Sequence, residues 1–280
     1  MNEAEAPPGS AMAADPTGPG GGKAPDTTRS NFWAEGPARW FFATTVDLGY
    51  LYLRPRGAIG YGRPFWTWIG FEANPQVSQR FLGGYAGLRG ELPFVDLRVG
   101  SRYVFAFQQA YLNPRDSYGR LELESRERAR STYFSYEAEL SGAIPLGPGS
   151  VLLLGTASKL TGVPKDLYVF DQSLRVVVKP PYVVRGRIGY GLRIAHSGKI
   201  GVGFVTEILH IPERSTSIIR AGIIATATLS NHLEVIGSFV PPIIGPDTLG
   251  IAGGDFGQLG LRYRWATGGA SEPMVVPVAF

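Results

Sequence analysis

The sequence predicts an all-β fold, a transmembrane antiparallel up-and-down β-barrel of about 12 strands behind a disordered N-terminal tail. Three observations point there. Over 258–265, Leu259, Leu261, Tyr263 and Trp265 share one face while Gln258, Gly260, Arg262 and Arg264 take the other, giving an apolar outside and a charged inside. Over 95–107 the alternation continues, with Val95, Leu97, Val99, Tyr103, Phe105 and Phe107 set against Asp96, Arg98, Gly100 and Arg102. Aromatic residues mark strand ends: Trp40 and Phe42 begin the first strand and Tyr50 and Tyr52 end its outward face, at the levels where lipid headgroups favour Tyr and Trp.

Residues 1–37 are rich in Pro, Gly and Ala and too poor in apolar bulk to fold, so they read as a periplasmic tail. The barrel proper, 38–266, divides into strands at about 39–54, 64–73, 79–90, 93–108, 118–125, 131–144, 151–160, 182–195, 199–210, 216–229, 232–240 and 256–265. In the sixth, Phe134, Tyr136, Ala138, Leu140 and Ile144 alternate with Ser135, Glu137, Glu139 and Ser141; in the eighth, Val184, Ile188, Tyr190, Leu192 and Ile194 alternate with Arg185, Arg187 and Arg193. Tilted strands of about ten residues are long enough to cross a bilayer. The fifth, 118–125, alternates least; were it a loop, 168–179 would have to supply the strand that keeps the number even. An even number puts both termini on one side, with short turns at Asn74-Pro75-Gln76, 147–150, 196–198 and 230–231 and longer connections at 162–181 and 241–255 on the other. Residues 267–280 form a short second periplasmic tail, where Pro273 and Pro277 oppose a hydrogen-bonded strand.

The closing strand resembles the signal by which bacterial outer-membrane β-barrels are recognised for insertion: a polar residue, Gly two positions on, and aromatics at the last and third-last positions. Gln258, Gly260, Tyr263 and Trp265 fill those places. The resemblance implies a Gram-negative outer membrane, contact with outer-membrane lipid and lipopolysaccharide, and delivery by the barrel assembly machinery. The opening Met1-Asn2-Glu3-Ala4-Glu5 has neither a basic n-region nor an apolar h-region, so the sequence reads as the mature form of an exported chain.

Composition removes other classes. No apolar run is long enough for a transmembrane helix, and only 18% of residues are charged. The absence of Cys suits passage through an oxidising periplasm. The net charge of +4 comes from Arg spread along strands with no nucleic-acid motif, so nucleic acid is not an expected partner. No metal-ligand spacing or phosphate-cradling Gly motif appears, and no cofactor is expected.

Function therefore has to come from the lumen. The alternation sends Arg98, Arg102, Arg185, Arg187, Arg193, Arg220, Arg262 and Arg264 inward, along with Asp96, Glu122, Glu124, Glu137, Glu139 and Glu207. Acid gathers on the predicted fifth and sixth strands and Arg on the eighth and twelfth. Opposed walls of that kind would set a transverse field, as in porins, and the expectation is a porin-like channel for small polar or anionic solutes. Two other readings stand beside it. Paired charges could fill the bore of a structural barrel in an envelope-spanning complex for motility or polysaccharide export, with residues 1–37 reaching periplasmic partners. Some twelve-stranded outer-membrane barrels are phospholipases with an outward Ser, His and Asn. Of the three His here, His196 and His232 fall at turns and His210 near a strand end, so no enzyme is expected.

Overall fold

The computed structural model describes residues 33–34, 36–49, 52–123, 130–194, 199–255 and 260–267. Most of the predicted tails, together with Tyr50, Glu124, His196, Ser197 and Gln258, lie outside them. Among the described residues fifteen strands run in chain order: β1 (Arg39–Gly49), β2 (Tyr52–Arg63), β3 (Thr67–Ser78), β4 (Phe81–Glu91), β5 (Val95–Ala110), β6 (Arg130–Leu146), β7 (Gly149–Thr161), β8 (Val169–Asp171), β9 (Val176–Val178), β10 (Tyr182–Arg193), β11 (Ile200–Ile211), β12 (Thr216–Thr228), β13 (Leu233–Phe239), β14 (Pro242–Ile244) and β15 (Gly260–Ala266). Twelve of these close an antiparallel up-and-down barrel, in which β7 pairs with β10, β13 with β15, and β15 with β1. Closure leaves the wall no open sheet edge, which a strand in lipid could not tolerate. It also sets Asp47 directly opposite Arg262 across the seam.

Alternation decides which face meets lipid. Ile59, Leu88, Leu140, Ile188 and Ile223 are exposed apolar residues on the outer face, and their sequence neighbours point into the bore. Trp40 packs edge-on to Tyr61 at 5.7 Å and Phe42 to Trp265 at 6.4 Å, forming an aromatic group at the end that carries the chain termini. Tyr103 against Phe134 at 4.9 Å forms another toward the opposite end.

The strand number agrees with the sequence reading through two errors that cancel. The predicted first strand, 39–54, is two strands: from Tyr52 the chain runs back antiparallel alongside β1 as β2, with Tyr52 opposite Gly49. Its outward pattern is blurred by Pro55 and Gly57, which conceal a strand whose inner face carries Tyr52, Arg54 and Arg56. Tyr52 consequently faces the lumen. The predicted fifth strand is a loop: Arg120–Leu123 forms one turn of 3-10 helix, and parity is restored by β2 and not by 168–179. The predicted turn Asn74-Pro75-Gln76 lies within β3, where Pro75 pairs with Gly84.

Short turns lie at the terminus end, including 92–94 and 147–148. The long connections, 111–129, 162–181 and 240–259, lie at the other, here called the loop end. Segment 162–181 does not stay outside. It folds inward as the β8–β9 hairpin, whose Val169, Leu174, Val176 and Val178 pack on Val104, Tyr133, Leu160, Leu209 and Ile218 from the barrel's inner face. The opposite side of the hairpin, Phe170 and Val177, is covered by Leu112, Tyr118, Leu123 and Leu249 from the other loops. Val169, Val176, Val177 and Val178 are all fully buried.

If the outer face is solvated by lipid, Ile188→Arg at mid-strand will destabilise the barrel by about 2–4 kcal/mol, measured by urea unfolding in vesicles. Ile188→Leu will change it little.

Candidate functional site

The middle of the lumen is a set of ion-pair hubs, two built around buried carboxylates, Asp47 and Glu207, and one around the guanidinium of Arg89. Asp47 on β1 accepts from Arg54 at 2.8 Å, Arg56 at 2.9 Å and Arg262 at 2.6 Å, so β2 and β15 are tied to β1 from both sides. Glu234 on β13 extends this hub to Arg262 at 3.7 Å and Arg264 at 3.6 Å. On the adjoining wall, Arg89 bridges Glu72 at 2.7 Å, Glu91 at 3.2 Å and Asp96 at 2.6 Å. Arg98 pairs with Glu139 at 2.5 Å and Arg102 with Glu137 at 2.7 Å, and both lie over the ring of Tyr85. That ring has room because Gly87 and Gly100 sit beneath it; a Cβ at either position would overlap the phenol.

The third hub is Glu207 on β11, which receives Arg185 at 2.6 Å, Arg187 at 2.5 Å and Arg220 at 2.8 Å. Arg220 also donates to the carbonyls of Leu174 at 2.8 Å and Arg175 at 3.0 Å, clamping the tip of the inserted hairpin. Arg187 reaches Asp255 in the 240–259 connection at 2.6 Å. Burial pushes the Asp255 carboxyl up, but Arg187 and Arg185 outweigh that and bring it down to about 2. Among the loops, Arg214 grips Asp247 at 2.6 Å and lies over Tyr118, whose hydroxyl burial pushes up to about 12.

The terminus end is filled differently. Trp33 meets Phe65 at 4.8 Å and His232 at 5.6 Å, and it belongs to one buried group with Phe41, Trp66 and Trp68. Trp68 donates to Glu91 at 2.8 Å. The predicted strand 64–73 would start at the outer end; the missed strand reverses its direction, so Trp66 and Trp68 lie at the terminus end. Trp33, assigned to the tail, packs against the barrel.

Most predicted lumen residues are where the alternation puts them, but their arrangement differs. Acid and base do not form opposed walls: carboxylates and guanidinium groups are interleaved around the bore and pair with opposite charge on nearby strands. Arg193 is half-buried on β10 toward the terminus end. Glu122 is not in the bore at all; it sits in the 3-10 turn and pairs with Arg115. Glu124 lies outside the described residues. Gly260, Tyr263 and Trp265 occupy β15 as expected, while Gln258 lies outside the described residues.

The expectation of an open channel for polar solutes is overturned by this packing. The loop end holds a folded hairpin, the middle holds ion pairs, and the terminus end holds stacked aromatics. What remains is a cavity of ≈ 150 Å³ among the ion pairs and one of ≈ 450 Å³ at the loop end, between the inner wall and the hairpin. Tyr52, Arg54, Phe81, Gln109, Phe170 and Arg175 contribute to the larger one. Gln109 escaped the sequence reading because strict parity sends it outward; a register shift between Phe105 and Ala110 turns it in. Asp255 and the hairpin residues escaped because loop composition carries no periodicity.

The chain matches no family model and no curated protein. Among solved structures it is similar to OmpTdeltaL8, described as the loop L8 deletion mutant of OmpT, an outer membrane protein of Vibrio cholerae. The identity is 8%, over 81% of this chain and 99% of that chain, at a TM-score of 0.33. A likeness at that level carries no inference about activity. Register also brings His210 beside Ser217 on the outer face, Nδ1 to Oγ at 3.0 Å, but among the described residues the ring has no other hydrogen-bond partner to orient it.

Removing one buried partner should expose the cost of these hubs. Glu207→Gln leaves three guanidinium groups around a neutral amide and is expected to lower stability by about 3–5 kcal/mol, read as a fall in the urea midpoint. Arg193→Gln should move it far less.

Proposed function

We propose that this protein is a sealed barrel of a bacterial outer membrane that works as a binding protein at its loop end and passes nothing through its bore. One observation supports this most strongly: the inserted hairpin is packed on seven wall strands and clamped by Arg220, while a lumenal cavity of ≈ 450 Å³ opens beside it. A strand that merely lined a conduit would not carry Val169, Val176 and Val178 at zero exposure.

In this reading the termini face the periplasm and the long connections face outward, the usual asymmetry of such barrels. The apolar band contacts outer-membrane lipid, the loop end lies at the level of lipopolysaccharide, and the closing strand carries Gly260, Tyr263 and Trp265 as its insertion signal. The segment 1–32, which precedes the docked Trp33 and lies outside the described residues, is the part proposed to meet periplasmic proteins. No catalytic step is assigned.

Planar-bilayer recording tests the sealed bore. The full chain should be silent at voltages where an open porin in the same bilayer conducts, and it should stay silent with 165–178 replaced by a Gly-Ser linker, because the ion pairs and the Trp33, Trp66 and Trp68 group still close the bore; steady steps from the unaltered chain would refute the proposal.

A further inference from the structure

The loop-end cavity contains buried amide groups with nothing to bond. Among the described residues, Gln109, 2% exposed, has no partner for its Nε2 or its Oε1, and the buried Nε2 of Gln172 on the hairpin has none either. Buried polar groups in a folded chain are nearly always paired, so orphans that line a cavity point to a group that completes them.

Charge points the same way. Arg54 and Arg102 line the cavity but are held by Asp47 and Glu137. Arg120 forms no ion pair among the described residues, and Arg175 donates to the Gly254 carbonyl at 3.2 Å. The lining's acid, Asp255, is already engaged by Arg187. An excess of positive charge is therefore left facing a space of ≈ 450 Å³, a volume that suits a small molecule. Tyr52, Phe81 and Phe170 give that space apolar walls.

We infer that this cavity binds a small amphipathic anion, a carboxylate or phosphate on an aromatic or short aliphatic body, with the head drawn to Arg120 and Arg175 and the body against Phe81 and Phe170. Gln109 and Gln172 supply donors and an acceptor to its polar edge. This rests on the sealed-barrel reading, because an open bore would not retain a ligand there.

Titration calorimetry of the full chain in nanodiscs, with 2-naphthoate as the probe and 2-naphthalenemethanol as the uncharged control, tests it. Naphthoate is expected to show one saturable site, with the alcohol at least about tenfold weaker, and Arg175→Gln to weaken naphthoate about tenfold. Arg120→Gln, at an exposed loop position, should weaken it several-fold with the urea midpoint unchanged, and Gln109→Leu should weaken it too. Equal binding of acid and alcohol, no saturable heat, or an unchanged affinity in Arg120→Gln would overturn the inference. The same preparation in dye-loaded vesicles separates the two readings: missing affinity with retained dye removes the site alone, whereas dye release removes the sealed barrel.

Discussion

Taking charge out of water inside a narrow barrel is the constraint on which the rest of this structure depends. A bore of twelve strands is lined by alternate residues of every strand, and here those residues include Arg and carboxylates in nearly equal number. An isolated buried ion costs several kcal/mol, so each must find partners across the lumen. Asp47, Glu72 and Glu207 meet this by each collecting two or three Arg groups from neighbouring strands, which also fixes strand register. The wide, wet lumen of a larger barrel would not force such pairing.

The inserted hairpin follows from the same constraint. Above the charged middle, the inner face turns apolar through Val104, Tyr133, Leu160, Leu209 and Ile218, a surface that would be poorly solvated if left open. Segment 162–181 covers it with valines, and the polar backbone at its tip is satisfied by Arg220 and Tyr133. Asp171 closes the turn by accepting from the amides of Ser173 and Leu174. At the opposite end Trp33, Trp66 and Trp68 take the corresponding role. The ligand cavity survives where hairpin and wall do not quite meet, beside a β5 bulge that no pattern in the sequence announces.

Much of this was legible from residue alternation, because a membrane wall imposes period two wherever one face meets lipid. Long strands such as β5, β6 and β10 declare themselves, with Arg98, Arg102, Glu137, Glu139, Arg185 and Arg187 facing inward as read. The signal fails where that rule loosens. Pro55 and Gly57 interrupt the outward face of β2, so its Arg54 and Arg56 went unseen. Charged residues at 118–125 imitate a strand, though its described part, 118–123, is loop and a 3-10 turn. The hairpin's Val176, Val177 and Val178 are buried on both sides and show no alternation. An inward list of charges also cannot tell a conduit from a plug, since that depends on which Arg meets which acid across the bore.

The central claim is that the mid-lumen is closed from both ends, and cysteine accessibility tests it most directly because the natural chain has no Cys. Ser158 on β7 faces the small cavity among the ion pairs and is 6% exposed. Ser158→Cys in reconstituted vesicles is predicted to resist a charged methanethiosulfonate reagent added from either side, and to react fully once the barrel is unfolded. Rapid labelling of the folded barrel would contradict the account and show a water-filled path through the bore.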